Sequence, residues 1–351
     1  MLEEDFMSRW MNKIGPESDV VISSRIRLAR NLDNICFTNQ ANNNDLEEIL
    51  NIINNLLLEN NKFNLRLLLL DDFSKTRKKM LVERHLISPD LAKDGRHKAV
   101  ALSDDETISL MINEEDHLRL QVLYPGLQLQ ESWDLSDQID DYLENCIDIA
   151  FDEKYGYLTS CPTNVGTGLR ASVMIHLPAL TMINRVQNIM TAISQLGLAV
   201  RGLYGEGTDT VGNLYQISNQ VTLGRSEEDI IQNLLEVTHQ IIDKERNARS
   251  ILLKEKELFL KDQIYRAYGT LKYAYKISIQ EAMKLISNVR LGIDLGIIKN
   301  VDPIILNQLM VIIRPSTLET IKNKDMTLEE RDIYRAELIR ERFSEEGKDD
   351  F

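Results

Sequence analysis

Between residues 227 and 276 the chain contains no proline and a single glycine, Gly269, and its apolar residues recur at helical spacing. A stretch this long without a breaker has to be helical, because strands and hairpin turns need frequent punctuation. Further helices are predicted over 279–289, 303–313 and 328–343. Upstream the texture differs. Short runs at 20–22, 65–70, 100–103 and 107–112 read as strands, the last two joined by the acidic turn Asp104-Asp105-Glu106. Residues 45–58 place Leu46, Ile49, Leu50, Ile53 and Leu57 at helical spacing behind an Asp cap, and 138–151 read similarly. Glycines concentrate at 161–168 and 201–212, as where a backbone turns tightly or approaches a ligand. The residues alone predict an α/β domain followed by an all-helical one, with the boundary between 245 and 260.

Charge narrows the function. Lys plus Arg number 41 against 55 Asp plus Glu, for a net charge of -14. General binding to nucleic acid or an anionic membrane is disfavoured, because a phosphate surface needs a basic face, although a small basic pocket can sit inside an acidic protein. At 43% hydrophobic and 27% charged the composition is that of a globular protein, and 351 residues suit two domains. The longest aliphatic run, 67–70, is too short to span a bilayer. The start, Met1-Leu2-Glu3-Glu4-Asp5-Phe6, lacks a basic segment before an apolar one, so no signal peptide is expected. Cys36, Cys146 and Cys161 form no C-x-x-C pair, which predicts neither a zinc site nor a disulfide framework and suits a reducing cytoplasm.

The common nucleotide and metal signatures are missing: there is no G-x-x-x-x-G-K-[ST], no H-R-D or D-F-G, and no H-E-x-x-H. What remains is a set of arginines at strand ends or beside glycines. In Ser23-Ser24-Arg25-Ile26-Arg27 two arginines spaced by two on a strand point the same way and repel unless an anion lies between them; a solvated edge strand is the other reading. Asn113-Glu114-Glu115-Asp116-His117-Leu118-Arg119 reads first as a helix start, where the dipole favours carboxylates, with a cleft carboxylate or a metal site as alternatives. Cys161-Pro162-Thr163-Asn164-Val165-Gly166-Thr167-Gly168-Leu169-Arg170-Ala171-Ser172 is an anion-cradling turn or a plain tight one. Arg201-Gly202-Leu203-Tyr204-Gly205-Glu206-Gly207-Thr208 holds an arginine and a glutamate on a loop that either closes over a substrate or is a surface turn.

These four segments, in this order over residues 20–225, resemble the ATP:guanidino phosphotransferases, the family of creatine and arginine kinases. The bacterial protein-arginine kinase branch is more similar still. Creatine kinases carry a long helical domain before the first arginine strand, whereas only residues 1–19 precede it here. Arg331-Asp332-Ile333-Tyr334-Arg335-Ala336 matches the R-D-x-x-R-A motif of that branch, and Pro16-Glu17-Ser18-Asp19 also looks like it. The resemblance implies an α+β fold. An antiparallel-sheet guanidino kinase catalytic domain, related to glutamine synthetase, would occupy residues 1–250. A helical C-terminal domain for phosphoarginine sensing and dimerisation would occupy 251–351.

It further implies transfer of the ATP γ-phosphoryl group to arginine side chains of proteins, marking them for stress response and proteolysis. A kinase of a free guanidino metabolite and a phosphoarginine-binding protease adaptor are the alternatives. A guanidinium, with a pKa above about 12, is a poor nucleophile, so the site has to neutralise phosphate and orient a cation against it. Carried over residue by residue, Arg25, Arg27, Arg119, Arg170 and Arg201 would form the phosphate clamp, with Mg²⁺ bridging the ATP phosphates. Ser23, Ser24 and Ile26 would lie beside the phosphates. Ala171, Ser172, Val173 and Met174, with Gly202, Leu203, Tyr204 and Gly205, would line the nucleotide pocket. His85, which alone would read as a helix-face histidine, would be a nucleotide contact. Glu115 and Glu206 would hold the target guanidinium, Glu115 also taking its proton, with Glu114 and Asp116 as supporting or helix-start charges. Cys161 matches the family's reactive cysteine and would act as a modulator. Arg331, Asp332, Arg335 and Ala336 would form an allosteric phosphoarginine pocket; without the family they read as a solvated helix of salt bridges. The implied partners are protein substrates with exposed arginines, a zinc-binding activator, an AAA+ protease and a second copy in a homodimer, with neither nucleic acid nor membrane.

Overall fold

The structure, a computed structural model, describes residues 8–202 and 210–346. Its strands, in chain order, are β1 (Val21–Arg30), β2 (Arg66–Leu69), β3 (Ala99–Leu102), β4 (Ile108–Ile112), β5 (Leu118–Pro125), β6 (Phe151–Asp152), β7 (Gly156–Tyr157), β8 (Leu169–His176), β9 (Leu198–Gly202) and β10 (Leu214–Asn219). All but β6 and β7, which pair with each other, join one eight-stranded sheet in the order β2-β3-β4-β5-β1-β8-β10-β9. Every pairing in it is antiparallel. The α+β architecture implied by the resemblance is therefore present, and the less specific α/β expectation is replaced by it.

Helices α1 (Arg9–Asn12), α2 (Asn43–Glu59), α3 (Lys75–Glu83), α4 (Leu129–Glu144), α5 (Pro178–Met182) and α6 (Val186–Gln195) lie among the strands in the chain. Then come α7 (Glu227–Glu255), α8 (Glu257–Tyr273), α9 (Ile279–Asp294), α10 (Pro303–Ile312), α11 (Pro315–Lys322) and α12 (Leu328–Glu346). The change of texture near 226 is a capped helix start, where the Ser226 hydroxyl accepts the Asp229 N–H at 3.1 Å. The unbroken stretch that follows is two helices parted at Lys256. Helix α4 begins and ends earlier than the predicted 138–151, and Phe151 belongs to β6. No helix of the described residues is long and apolar enough to cross a membrane.

The pleat sorts side chains between two faces. Ile22, Ile26 and Leu28 of β1 are essentially inaccessible in the main apolar core, against which α4 and α7 pack. That core continues into α8–α12. Gly292 of α9 allows the close approach there, since a Cβ would lie 2.4 Å from Ile264 of α8. The other face has a smaller core at one edge, built from Val100, Leu102, Met111 and residues of α3 and the segment after it. Between that edge and β9 the same face carries Arg25, Arg27, Gln121, Ser172 and Gln216, which belong to neither core. Slipping β1 by one residue would bury these arginines and expose Ile26 and Leu28, each worth about 1.5–3 kcal/mol when buried. The register is thereby fixed, and so is the direction of the guanidiniums.

Candidate active site

Strand register brings the predicted arginines together. Arg27 lies opposite Arg170 on one side and Gln121 on the other, and Ala29 lies opposite Arg119. Arg201 of β9 lies opposite Gln216, whose Oε1 accepts the Arg25 Nη2–H at 2.9 Å. Arg27, Arg119, Arg170 and Arg201 line one cavity of about 250 Å³ with Glu115, Cys161, Thr163, Asn164 and Gly168. A larger cavity, about 1060 Å³, opens between α3 and α11 and contains none of the predicted site residues.

Neighbours on paired strands start about 5 Å apart. Two unit charges at that distance repel by roughly 3 kcal/mol at an effective dielectric of about 20. Burial, and then the charges of Arg25, Arg119 and Arg170, push the Arg27 pKa well below its ordinary value. Burial, then Arg201 and Arg119, lowers that of Arg170. The Arg27 Nε–H is buried and has no hydrogen-bond acceptor among the described residues. Such a cluster suits an anion with several oxygens. Among the described residues no group of three His, Cys, Asp or Glu is placed to hold a metal ion.

The carboxylates sit on a hairpin tip between β4 and β5, which corrects the helix-start expectation: Asn113 N–H bonds the His117 carbonyl at 2.9 Å and closes the turn. Arg119 divides its guanidinium between Glu114 (Nη1–Oε1, 2.7 Å) and Glu115 (Nη2–Oε2, 3.2 Å). The Glu114 side chain is inaccessible, whereas that of Glu115 is 43% exposed at the cavity. Burial raises the Glu115 pKa against the opposing pull of Arg119, and the charges of Asp116 and Glu114 add to the rise.

Asp116 and His117 are buried and act as fasteners. Asp116 Oδ1 accepts from Asn31 Nδ2 (2.8 Å) and from the Ser160 amide (2.6 Å), tying the Glu115 hairpin to the loop that begins at Cys161. His117 Nδ1 accepts the Leu32 N–H at 3.0 Å, so its Nε2 carries the proton and donates to the Cys36 carbonyl at 2.9 Å. Cys161 is half-buried, with its sulfur 3.0 Å from the Thr163 hydroxyl. Gly168 has φ +64°, and a Cβ there would collide with the Arg30 side chain and the Ala29 carbonyl.

The pleat also divides the predicted runs. Ser23, Arg25, Arg27, Ser172 and Met174 share the arginine face. Ser24, Ile26, Ala171 and Val173 point the opposite way and are fully buried. Ser24 Oγ is bonded to the Gly126 carbonyl (2.8 Å) and the Gln128 amide (3.0 Å). His85 lies one residue beyond the α3 C-cap rather than on a helix face, at φ +62°. Gly202 is half-buried at the end of β9. Leu203, Tyr204, Gly205 and Glu206 lie outside the described residues. Gln121, Gln216 and Asn31 were not singled out by sequence, and no local pattern marks them.

The R-D-x-x-R-A residues lie on α12. Arg331 and Arg335 are not an open pair. Arg335 is 1% exposed, with Nε bonded to the Ile313 carbonyl (2.9 Å) and Nη1 to the Ile277 carbonyl (2.9 Å) and Asp332 (2.5 Å). Ala336 is buried, and Arg331 lies 3.8 Å from Glu319. Asp332 and Arg335 thus join α12 to the turn after α10 and the segment before α9.

Comparison with known proteins agrees with this geometry. The family described as ATP:guanido phosphotransferase, C-terminal catalytic domain, matches residues 47–248, and that described as Protein-arginine kinase McsB C-terminal domain matches 257–351. The protein-arginine kinase of Halothermothrix orenii is 54% identical over 96% of this chain and 97% of its own. That of Halalkalibacterium halodurans is 52% identical over 97% of each. A solved lombricine kinase superposes with a TM-score of 0.58 at 25% identity, covering 67% of this chain and 68% of that one. The duplicated taurocyamine kinase of Schistosoma mansoni gives 0.60 at 25% identity, over 69% of this chain and 36% of that one. With the arginines gathered on one face of an antiparallel sheet and Glu115 on the hairpin tip beside them, the chain belongs to the ATP:guanido phosphotransferase family, among the relatives of the protein-arginine kinases.

Proposed function

We propose that this protein is an ATP-dependent protein-arginine kinase. The observation that carries the reading is the cavity in which Arg27, Arg119, Arg170 and Arg201 face Glu115. MgATP is the substrate, and its metal is carried by the phosphate oxygens. Arg27, Arg119, Arg170 and Arg201 bind those oxygens, with Arg25 behind them on Gln216, and stabilise the charge that spreads over the transferring group. Glu115 accepts N–H bonds from the client guanidinium and fixes its plane. As nitrogen bonds to the γ-phosphorus and the bond to the ADP oxygen breaks, the guanidinium proton passes to the Glu115 carboxylate. Its raised pKa makes Glu115 a stronger base than an ordinary glutamate. Arg119 holds this carboxylate while touching phosphate, so it couples the two reactants. Glu206 is assigned as the second carboxylate on the client and Cys161 as a modulator near Arg170.

In this reading residues 1–250 form the catalytic domain and 251–351 a domain that senses phosphoarginine and dimerises. The setting is a bacterial cytoplasm, where the mark directs damaged proteins to an AAA+ protease and a zinc-binding activator regulates the kinase. The test is incubation with ATP and either an unfolded basic protein or free arginine, followed by mass spectrometry under non-acidic conditions that preserve N–P bonds. Phosphoarginine on the protein is the expected result. Phosphorylation of free arginine alone would move the assignment to a metabolite kinase, and binding without transfer would move it to an adaptor.

A further inference from the structure

The helices after the catalytic sheet reach back to it at one carboxylate. Helix α11 has no side-chain cap from its own N-cap residue, Arg314. Its first amides need acceptors. They find them across the fold in Glu83, the last residue of α3. Glu83 Oε1 accepts the Ser316 N–H at 3.0 Å, and Oε2 accepts the Thr317 N–H and hydroxyl, both at 2.8 Å. A carboxylate at a helix N-terminus is favoured twice, by charge-assisted bonds and by the helix dipole.

Two residues later the chain makes the turn that ends α3. The His85 N–H bonds the Val82 carbonyl (3.0 Å) and the Leu86 N–H bonds the Leu81 carbonyl (2.9 Å). This pair of bonds places His85 at the position where helices usually carry glycine. A histidine there, at φ +62°, costs on the order of 1–2 kcal/mol unless its surroundings hold it. They hold it on both sides. Gln121, on the arginine face of β5, donates to the His85 carbonyl at 2.7 Å. Glu83 pins the preceding turn to α11. The imidazole lies 5.8 Å from the Trp10 ring and within the field of Arg25 and Arg314. Burial, then Arg25 and Arg314, push its pKa down to about 3, so it is neutral at physiological pH.

We infer that Glu83 is a positioning residue through which the helical region holds His85 against the nucleotide side of the active site. This rests on the reading of His85 as an ATP contact. Helix α11 then does more than pack on the catalytic domain: its N-terminus sets the geometry of a strained residue in the site. Arg335 in turn steadies the start of α11, since its Nε bonds the Ile313 carbonyl just before that helix.

The test is a kinetic cycle on the full-length protein with Glu83→Ala, His85→Ala and the double variant. Glu83→Ala is expected to raise KM for ATP about tenfold, with kcat and KM for the protein substrate within about twofold. His85→Ala is expected to raise KM for ATP similarly, and the double variant no further, because one residue acts through the other. Additive effects, equal changes in KM for both substrates, or an unchanged KM for ATP in Glu83→Ala would overturn the inference. An effect of Glu83→Ala without any effect of His85→Ala would overturn both the inference and the reading of His85. If Glu83→Ala fails to fold, Thr317→Val removes a single bond, and its expected rise of about twofold to threefold carries the same cycle with His85→Ala; no rise, or one that persists unchanged in the His85→Ala background, overturns the inference.

Discussion

Two regions of this molecule concentrate arginines, and they differ in how the charge is met. At the junction of the N-terminal segment with α7 and α9, Arg246 pairs with Glu17 and Asp19, and Arg249 pairs with Glu245 and Asp294. Arg290 bonds Asn307 and the Ser18 carbonyl. Glu245 in turn caps α5 through the Ala179 and Leu180 amides, both at 3.0 Å. Every guanidinium there has at least one acceptor, although the buried Arg290 Nε has none among the described residues. On the sheet face, among the described residues, Arg27 has no carboxylate partner, whereas Arg119 pairs with Glu114 and Glu115. Arg30, three residues along β1, shows what a structural arginine on the same strand looks like: it is buried, paired with Asp140 and stacked on Tyr157. Uncompensated positive charge is a cost to folding that a bound polyanion removes.

The contrast is broken or sharpened most strongly by truncating one arginine from each region. Arg27→Ala should lower kcat/KM by about 10³ to 10⁵, the range for a guanidinium acting on a transferring phosphoryl group. Its unfolding free energy should stay within about 1 kcal/mol of the parent or rise, because repulsion is relieved. Arg249→Ala should do the reverse. It strands the inaccessible Glu245 carboxylate, at a cost of about 3–5 kcal/mol, while leaving turnover of the folded fraction near normal. Urea titration and steady-state kinetics on both variants decide the matter; equal destabilisation by the two would abolish the distinction.

Next in size is the carboxylate that faces the cluster. Glu115→Gln should reduce kcat by about 10² to 10⁴ with little change in KM for ATP. Because Glu115 must be ionised to take a proton and its pKa is raised, the parent should lose activity on acidification at a higher pH than an ordinary glutamate would dictate. Asp116→Asn keeps an oxygen for Asn31 and Ser160 but removes one of the like charges that raise Glu115. The acid limb of kcat/KM should then move to lower pH. The plateau should change by less than about fivefold, since a hydrogen bond is worth about 1 kcal/mol net. A limb that stays in place would separate Asp116 from the chemistry.

These residues also mark how far sequence reached. Arginines two apart on a strand share a face whatever surrounds them, so Arg25 and Arg27 were legible locally. The runs around them say less about side-chain direction, because a motif is contiguous while a pleat alternates; hence the side chains of Ser24, Ile26, Ala171 and Val173 fall on the apolar side. Glu114, Glu115 and Asp116 resembled a helix start because their partners are remote in the chain: Ser88 for Glu114, Asn31 and Ser160 for Asp116. The glycine-like position of His85 and the Glu83 cap of α11 depend on which helices meet, and no local pattern encodes that.

A last expected effect lies in the compensated region, and it tests whether compensation there is complete. Asp294 faces Arg290 on its own helix, Arg249 and Glu245 on α7, and Asp19 on the N-terminal segment. Burial outweighs the two arginines and lifts its pKa to about 6. A carboxyl whose folded pKa exceeds its unfolded value favours folding fully below the unfolded value, about 4, and loses that contribution as pH rises through the folded one. Asp294→Asn has no such dependence. The difference in unfolding free energy between the two proteins should therefore shift in favour of the variant by about 3 kcal/mol between pH about 4 and 7. Taking the difference cancels the titration of the other carboxylates. A difference that is flat with pH would mean that the arginines neutralise Asp294 fully.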